Sequence, residues 1–250
     1  MRHQDRDQLL RDHQPARVAH RLARPPAGPL RPDAVLGAID GCVTTFAIVA
    51  GAVGAGFPAP VAVTLGCANL VADGFSMAAS NFEAARTRAQ HVGQVREAEE
   101  QHIAEVPEGE LEELRQIFRG KGFEGDTLER IVATISADRR LWVDTMMVEE
   151  HGLQPSRVTP WRSALVTFTA FVVVGTAPLL PLLTGLPADR QFALSGGLAG
   201  LMFFLVGAMK APRHGLAALR SGLGTLLTGG AAATLAFLVG RLVGWLLGAG

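Results

Sequence analysis

Carboxylate, imidazole and thioether side chains cluster between residues 97 and 150, at spacings that place several of them on shared helix faces. The pairs at three- or four-residue spacing are Glu99 with His102, Glu110 with Glu113, and Met146 and Met147 with Glu150. Residues so spaced project from the same side of an α-helix. Three converging faces of this kind would enclose a metal ion. Oxygen, nitrogen and sulfur ligands together favour Fe²⁺, Mn²⁺, Co²⁺ or Zn²⁺ over Mg²⁺ or Ca²⁺, and Fe²⁺ is the first choice.

The same segment carries more negative charge than its basic residues balance. Eight glutamates occur between residues 97 and 113, and Arg96 and Arg115 are the nearby cations. Like charges on neighbouring turns repel, so the excess predicts a cationic ligand. The same spacing also fits an alternative in which the glutamates form a solvated helix face and Met146 and Met147 pack in an apolar core. Other registers remain open too, such as Glu97 with Glu100, or Glu149 in place of Glu150.

Two carboxylates lie inside the apolar stretches that precede this segment. Asp40 and Asp73 would each cost roughly 2.5 to 3.5 kcal/mol near the centre of a bilayer. The second stretch carries further candidates at helical spacing, namely Asn69, Asp73, Ser76 and Met77. We expect Asp40 and Met77 to line a path for a metal ion, with Asp33 at its entrance. In the alternative, Asp40 and Asp73 pair with backbone or with a neighbouring hydroxyl such as that of Thr44.

The elements that must position these groups are helices, and the expected fold is all-α and polytopic. Five stretches are long enough, at about 20 residues, to cross a bilayer. They cover residues 34–56, 61–82, 163–183, 192–209 and 222–247. The expected organisation is an Arg/His-rich tail (1–32), two spans (33–83), a metal-binding helical insert (84–158) and three spans (159–250).

The insert is expected to contain three helices. The first continues the second span as far as Val106 and Pro107, and the second covers residues 108–119. The third opens at Asp126, with Glu129 three residues on as in a capping box, and ends at Gly152.

Charge placement predicts the orientation and excludes several functions. The basic segments flank one side of the spans: the tail, Arg86 and Arg88, Arg157 and Arg162, and the group Lys210, Arg213 and Arg220. This bias predicts a cytoplasmic N-terminus and insert in a cell or inner membrane, or in a vacuole-type membrane.

The net charge of zero argues against nucleic acid as a partner. No phosphate-binding loop or catalytic triad occurs, which favours a secondary transporter over an enzyme. Small-residue spacings such as Gly37 with Gly41 permit close helix contact within a subunit or in a dimer.

The run DAVLGAIDGCVTTFAIVAG at residues 33–51 resembles the first transmembrane helix of the vacuolar iron transporter family. The run NLVADGFSM at residues 69–77, the acidic insert and the three later spans are similar to that family too. The resemblance implies a five-span homodimer that exports Fe²⁺, and sometimes other divalent ions, from the cytosol in exchange for protons. It implies pathway roles for Asp40 and Met77, and metal binding at Glu99, Glu110, Glu113, Met146, Met147 and Glu150.

Three positions depart from the family pattern. His102 stands where the family has glutamate, Asn69 occupies a pathway position that can be acidic, and Asn81 replaces a common glutamate. Neutral imidazole suits borderline ions, so His102 is expected to shift preference toward zinc or cobalt. The two asparagines remove proton carriers, which bears on the exchange stoichiometry.

A membrane-anchored ferritin-like di-iron oxidase or metal sensor is the alternative from another class. Di-iron bundles of that kind carry Glu-x-x-His on two helices. The segment supplies one such motif, Glu99 to His102. A purely structural membrane scaffold is the third interpretation, and it predicts that the insert binds no metal.

Overall fold

The computed structural model describes residues 10–23, 30–154, 159–211 and 215–248, and within these ranges the chain is helical and has no β-strand. The helices are α1 (Pro15–Leu22), α2 (Leu30–Gly54), α3 (Ala59–Glu105), α4 (Pro107–Gly120), α5 (Gly125–Ser136), α6 (Arg139–Glu149), α7 (Pro160–Thr176) with a 3₁₀ extension (Ala177–Leu183), α8 (Ala188–Lys210) and α9 (Leu216–Leu246). The basic positions Arg157 and Arg213 lie outside the described residues, as do residues 1–9 and 24–29 of the tail.

Five helices are long and apolar enough to cross a membrane: α2, α3, α7 with its extension, α8 and α9. The prediction of five spans is therefore confirmed, and the chain is a multi-pass membrane protein. Large apolar side chains such as Leu65, Phe75 and Leu227 are exposed on the outside of the bundle. In a membrane these side chains face lipid, so their exposure costs no hydrophobic free energy.

Helix α2 lies at the centre of the bundle and packs against α3, α7, α8 and α9. Gly37 and Gly41 allow α7 to approach closely, because a Cβ atom at either position would collide with the backbone of Thr167 or Phe171. Gly240 of α9 packs in the same way against the backbone of Gly51. These small residues therefore serve contacts within one chain.

Helix α3 is continuous over 47 residues and runs from the apolar bundle into the insert. At 1.5 Å per residue it is roughly 70 Å long, more than twice the hydrocarbon thickness of a bilayer. It ends before Pro107, which becomes the first residue of α4. The predicted continuation of the second span to this point agrees with the structure.

The third insert helix was predicted as one, but the structure has two. Helix α5 ends at Ser136, and Asp138 begins α6 by accepting hydrogen bonds from the backbone N–H groups of Arg140 and Leu141. The capping box predicted at Asp126 is also wrong. Helix α5 starts one residue earlier, its N-cap residue is Glu124, and no side chain caps it. The insert has its own apolar core, whose buried members include Leu114, Val132, Trp142, Met146 and Met147.

Candidate metal site and membrane cavity

Carboxylate and imidazole side chains from three helices meet in the insert. Glu99 and His102 lie near the C-terminal end of α3, Glu110 lies in the first turn of α4, and Glu150 directly follows α6. The His102 Nδ1 atom is 3.4 Å from Oε1 of Glu110 and 4.0 Å from Oε1 of Glu99. The predicted convergence of insert helices therefore brings these four side chains together.

His151 belongs to the same cluster, although the sequence reasoning did not include it. Its Nε2 atom is 2.8 Å from Oε1 of Glu99 and 3.7 Å from Oε2 of Glu150. One ligand atom from each of Glu99, Glu150 and His151 lies within 4.8 Å of the other two. The available signal was its position, since it directly follows a candidate ligand and precedes the glycine that ends the helical segment.

Two of the carboxylates are buried without sufficient partners. Glu99 is 2% exposed and Glu110 is 4% exposed. The Oε2 atom of each is buried and has no hydrogen-bond partner among the described residues. Burying an ionised carboxylate is costly unless a cation or donor compensates for it. The cluster therefore has unsatisfied oxygen atoms that suit a bound cation.

The basic residues of the insert neutralise other carboxylates. Their ion pairs include Arg96 with Glu100 and Asp144, Arg115 with Glu112 and Glu129, and Lys121 with Glu149. Among the described residues, no arginine or lysine pairs with Glu99, Glu110, Glu113 or Glu150. The negative charge in this cluster is thus balanced only by the two histidines when they are protonated. Glu149, the alternative to Glu150, forms an ion pair with Lys121.

Crowding of negative charge raises several pKa values in the cluster. Burial, followed by repulsion from Glu99 and Glu113, raises the pKa of Glu110 to about 7. Burial and repulsion from Glu99 also raise the pKa of Glu150. The hydrogen bond to Glu99 is the main cause of the raised pKa of His151. In the absence of metal, these side chains therefore retain protons near neutral pH, at atoms where a metal would compete with them.

The remaining predicted ligands lie at the edge of the cluster or beneath it. Glu113 is exposed on α4, and its charge contributes to the raised pKa of both Glu110 and Glu150. Met146 and Met147 are 0% and 1% exposed and form part of the apolar core of the insert. Both methionines therefore have a packing role, whether or not either sulfur also binds metal.

Within the membrane bundle, Asp40 of α2 and Met77 of α3 line one cavity of about 570 Å³. Both side chains are half-buried, and among the described residues no donor pairs with the Asp40 carboxylate. Thr44 donates its hydroxyl to the backbone carbonyl of Asp40 at 2.9 Å and does not reach the carboxylate. A carboxylate and a thioether thus face a common space at membrane depth.

The other predicted pathway residues do not line the Asp40 cavity. Asp73 is exposed on α3 and accepts a hydrogen bond from Asn69, and neither residue lines the Asp40 cavity. Asp33 is 9% exposed and lines a separate cavity of about 500 Å³ together with His91 of α3. The Oδ2 atom of Asp33 is buried and has no hydrogen-bond partner among the described residues.

A family model described as the VIT family matches residues 32–241. The match covers the whole insert and all five spans, apart from the first two residues of α2 and the last five of α9. The chain belongs to the VIT family. Curated relatives support the assignment. A vacuolar iron transporter of Toxoplasma gondii is 31% identical over 225 residues, covering 86% of this chain and 74% of the relative. Vacuolar iron transporter 1 of Arabidopsis thaliana is 29% identical over 218 residues, covering 87% of each chain. The protein of that name from Eucalyptus grandis is 29% identical over 226 residues, covering 90% of each.

Two basic residues of this VIT-family chain also line the Asp40 cavity and were not predicted as site residues. Arg31 donates to the carbonyl oxygen of Met209 at the end of α8, and Lys210 lies 3.4 Å from the Thr225 hydroxyl of α9. Lys210 had a simple explanation from sequence, since a lysine at a helix end commonly extends toward the membrane surface. Its position on the cavity depends on how α8 packs against α2, which no local pattern reveals.

Asn81, the third departure from the family pattern, has a structural partner. Its side-chain amide donates to the hydroxyl of Thr167 on α7 at 2.7 Å. The same hydroxyl lies 3.5 Å from the backbone carbonyl of Asp33 on α2. Asn81 therefore connects three spans near the second cavity.

Proposed function

We propose that this protein is a divalent metal/proton antiporter that exports Fe²⁺ from the cytosol, with Mn²⁺, Co²⁺ and Zn²⁺ as further candidate substrates. The observation that carries the proposal is the cavity that Asp40 and Met77, from two different membrane spans, both line. An ionisable residue at that depth indicates a transport pathway, because the cost of placing it there requires a function. The vacuolar iron transporters among the relatives supply the choice of iron.

The insert acts as the metal-collecting unit in this proposal. Its cluster combines buried carboxylates without lysine or arginine partners and two imidazole groups. This donor set suits a divalent transition ion better than a monovalent one or Ca²⁺. Helix α3 carries both Glu99 and Met77, so one continuous element connects the collecting site to the pathway.

Protons are the counter-substrate because they compete with metal for the same oxygen atoms. A carboxylate that releases its metal on the far side of the membrane is reset by protonation there. Asp40 is the residue proposed to carry this exchange. Asp73 is a second carboxylate at membrane depth for the same cycle.

A homodimer is part of the proposal because the polar face of α3 requires a cover. Asp73 and Ser76 are exposed on a helix whose other outward residues, such as Val71 and Phe75, are apolar. A carboxylate facing lipid is strongly disfavoured, whereas a second copy of α3 would enclose it in a shared pathway. The proposed orientation has the tail and insert in the cytosol, according to the basic segments that flank the spans.

The di-iron oxidase remains the functional alternative by chemistry, but the transporters among the relatives do not favour it. Oxygen consumption on addition of Fe²⁺ would distinguish it. The structural scaffold is distinguished by metal titration, since it predicts no binding.

The proposal is tested in proteoliposomes that carry a pH gradient, with metal entry and proton movement recorded together. Asp40→Asn should abolish metal-dependent proton flux, while metal binding at the insert of the full-length protein in detergent stays at the wild-type level. Asp189→Asn is the matched control, because Asp189 lies in the first turn of α8 and remote from the cavity, and it should transport normally. Wild-type flux in Asp40→Asn would refute the pathway.

A further inference from the structure

We propose that His151 is a metal ligand of the insert, and that Glu99, Glu150 and His151 form a subsite that favours Zn²⁺ and Co²⁺ over Mn²⁺. This inference rests on the proposed metal-collecting role of the insert and adds an imidazole to it. Neither the spacing of the acidic residues nor the resemblance to the family includes this histidine.

The interatomic distances fit a shared ion. Zinc ligands lie about 2.0 to 2.2 Å from the metal, so two ligand atoms on one ion are separated by roughly 2.9 to 3.6 Å. The 2.8 Å and 3.7 Å separations from His151 Nε2 to Glu99 Oε1 and Glu150 Oε2 lie close to that range. A metal can therefore replace the proton shared by His151 and Glu99 with small side-chain movements.

Glu99 has the features of a carboxylate shared between two subsites. Its Oε1 atom faces His151 on one side and His102 on the other, at 2.8 Å and 4.0 Å. Its Oε2 atom is buried and lacks a hydrogen-bond partner among the described residues. The second imidazole, His102, is itself 3.4 Å from Glu110. The cluster thus divides into two sets that share Glu99. One contains His151 with Glu150, and the other contains His102 with Glu110.

The imidazole determines the expected selectivity. Carboxylate oxygens alone suit Mn²⁺, whereas imidazole nitrogen strengthens binding of Co²⁺ and Zn²⁺. A site with one histidine in its ligand set should therefore lose more affinity for Co²⁺ and Zn²⁺ than for Mn²⁺ when that histidine is replaced. Loss of a ligand or of its supporting hydrogen bond commonly reduces metal affinity by about 10- to 100-fold.

The test uses the full-length protein in detergent, titrated with Zn²⁺, Co²⁺ and Mn²⁺ by calorimetry, with Co²⁺ binding also followed by visible absorption. His151→Gln should weaken Zn²⁺ and Co²⁺ binding at this subsite at least about tenfold and change the Co²⁺ spectrum, while Mn²⁺ affinity changes less than about threefold. His20→Gln is the matched control, because His20 is an exposed histidine of the tail helix α1 and belongs to neither the insert nor the cavities. It should leave all three titrations unchanged.

X-ray absorption of the Zn²⁺-loaded protein provides a direct second measurement that does not depend on affinity. The number of imidazoles around zinc should fall in His151→Gln relative to wild type and to His20→Gln. Wild-type affinities, stoichiometry and imidazole count in His151→Gln would overturn the proposal, and would leave His151 as a hydrogen-bond donor that glutamine replaces. Because Asp40→Asn tests transport independently, failure of the His151 assignment is distinguishable from failure of the antiporter proposal.

Discussion

Glu110→Gln provides a sharp test of the electrostatic account of the insert in the absence of metal. Burial and neighbouring carboxylates raise the pKa of Glu110 from its ordinary 4.5 to about 7. Between these two values the folded protein holds a proton that the unfolded chain has released. Stability conferred by this proton is therefore fully present below pH 4.5 and is lost as pH rises through about 7. The raised pKa values of Glu150 and His151 act in the same direction.

The expected magnitude follows from the size of the shift. One pKa unit corresponds to about 1.4 kcal/mol, so Glu110 contributes up to about 3 kcal/mol of pH-dependent stability to the empty insert. Glutamine carries no ionisable group, so in Glu110→Gln the stability of the insert should depend less steeply on pH. At pH 8 the variant should be more stable than wild type by up to about 3 kcal/mol, and at pH 5 the two should be similar.

Hydrogen exchange of peptides from α4, measured in EDTA from pH 5.5 to 8 and corrected for intrinsic rates, reports the free energy of opening of the insert. Glu108→Gln is the matched control, since Glu108 is exposed in the same first turn of α4 and should retain the wild-type slope. With saturating metal, the free energy of opening should instead rise with pH, because metal binding requires deprotonated carboxylates. An opening free energy in wild type that stays flat or rises with pH in EDTA, or an unchanged slope in Glu110→Gln, would refute the reasoning.

Four further substitutions test other parts of the structure. His102→Glu should shift metal preference from Zn²⁺ toward Mn²⁺, because it replaces an imidazole by a carboxylate, and competition titrations measure this. Met147→Leu conserves core volume and should cost less than about 1.5 kcal/mol in denaturant unfolding, so any large loss of Fe²⁺ affinity would assign the sulfur as a ligand. Gly41→Ala should destabilise the bundle by about 1 to 3 kcal/mol, because its Cβ collides with the Phe171 backbone, as thermal unfolding in detergent would record. Lys210→Gln removes a positive charge from the Asp40 cavity and should lower the KM for metal in proteoliposomes by about fivefold, the equivalent of about 1 kcal/mol of repulsion.

The sequence predicted those features that local periodicity or composition determines. The five spans and the break at Pro107 follow from apolar runs and from the missing N–H of proline, and the structure agrees with both. The division of the third insert helix was missed because Asp138 was not recognised as an N-cap within a segment that otherwise has helical spacing.

The site was predictable only in part for a similar reason. Spacing identified Glu99, His102 and Glu110 because each has a partner on its own helix or follows the family pattern. His151 is hydrogen-bonded to Glu99, which is 52 positions away in the sequence, so its place in the cluster depends on the packing of α6 against α3. Lys210 likewise reaches the Asp40 cavity through the packing of separate spans.

The geometry of α3 imposes a further requirement on any transport mechanism. Met77 and Glu99 are 22 residues apart on this continuous helix, which separates the proposed pathway from the proposed collecting site by roughly 33 Å. A metal ion cannot cross that distance in one step without an intermediate polar environment. The second cavity lies along this part of α3, since Ala85 to Val92 contribute to its wall, and it also contacts Leu153 of the insert. Asp33 lines this cavity, and its buried Oδ2 atom has no hydrogen-bond partner among the described residues. We therefore propose Asp33 as a relay between the insert and Asp40 rather than as part of the Asp40 cavity itself.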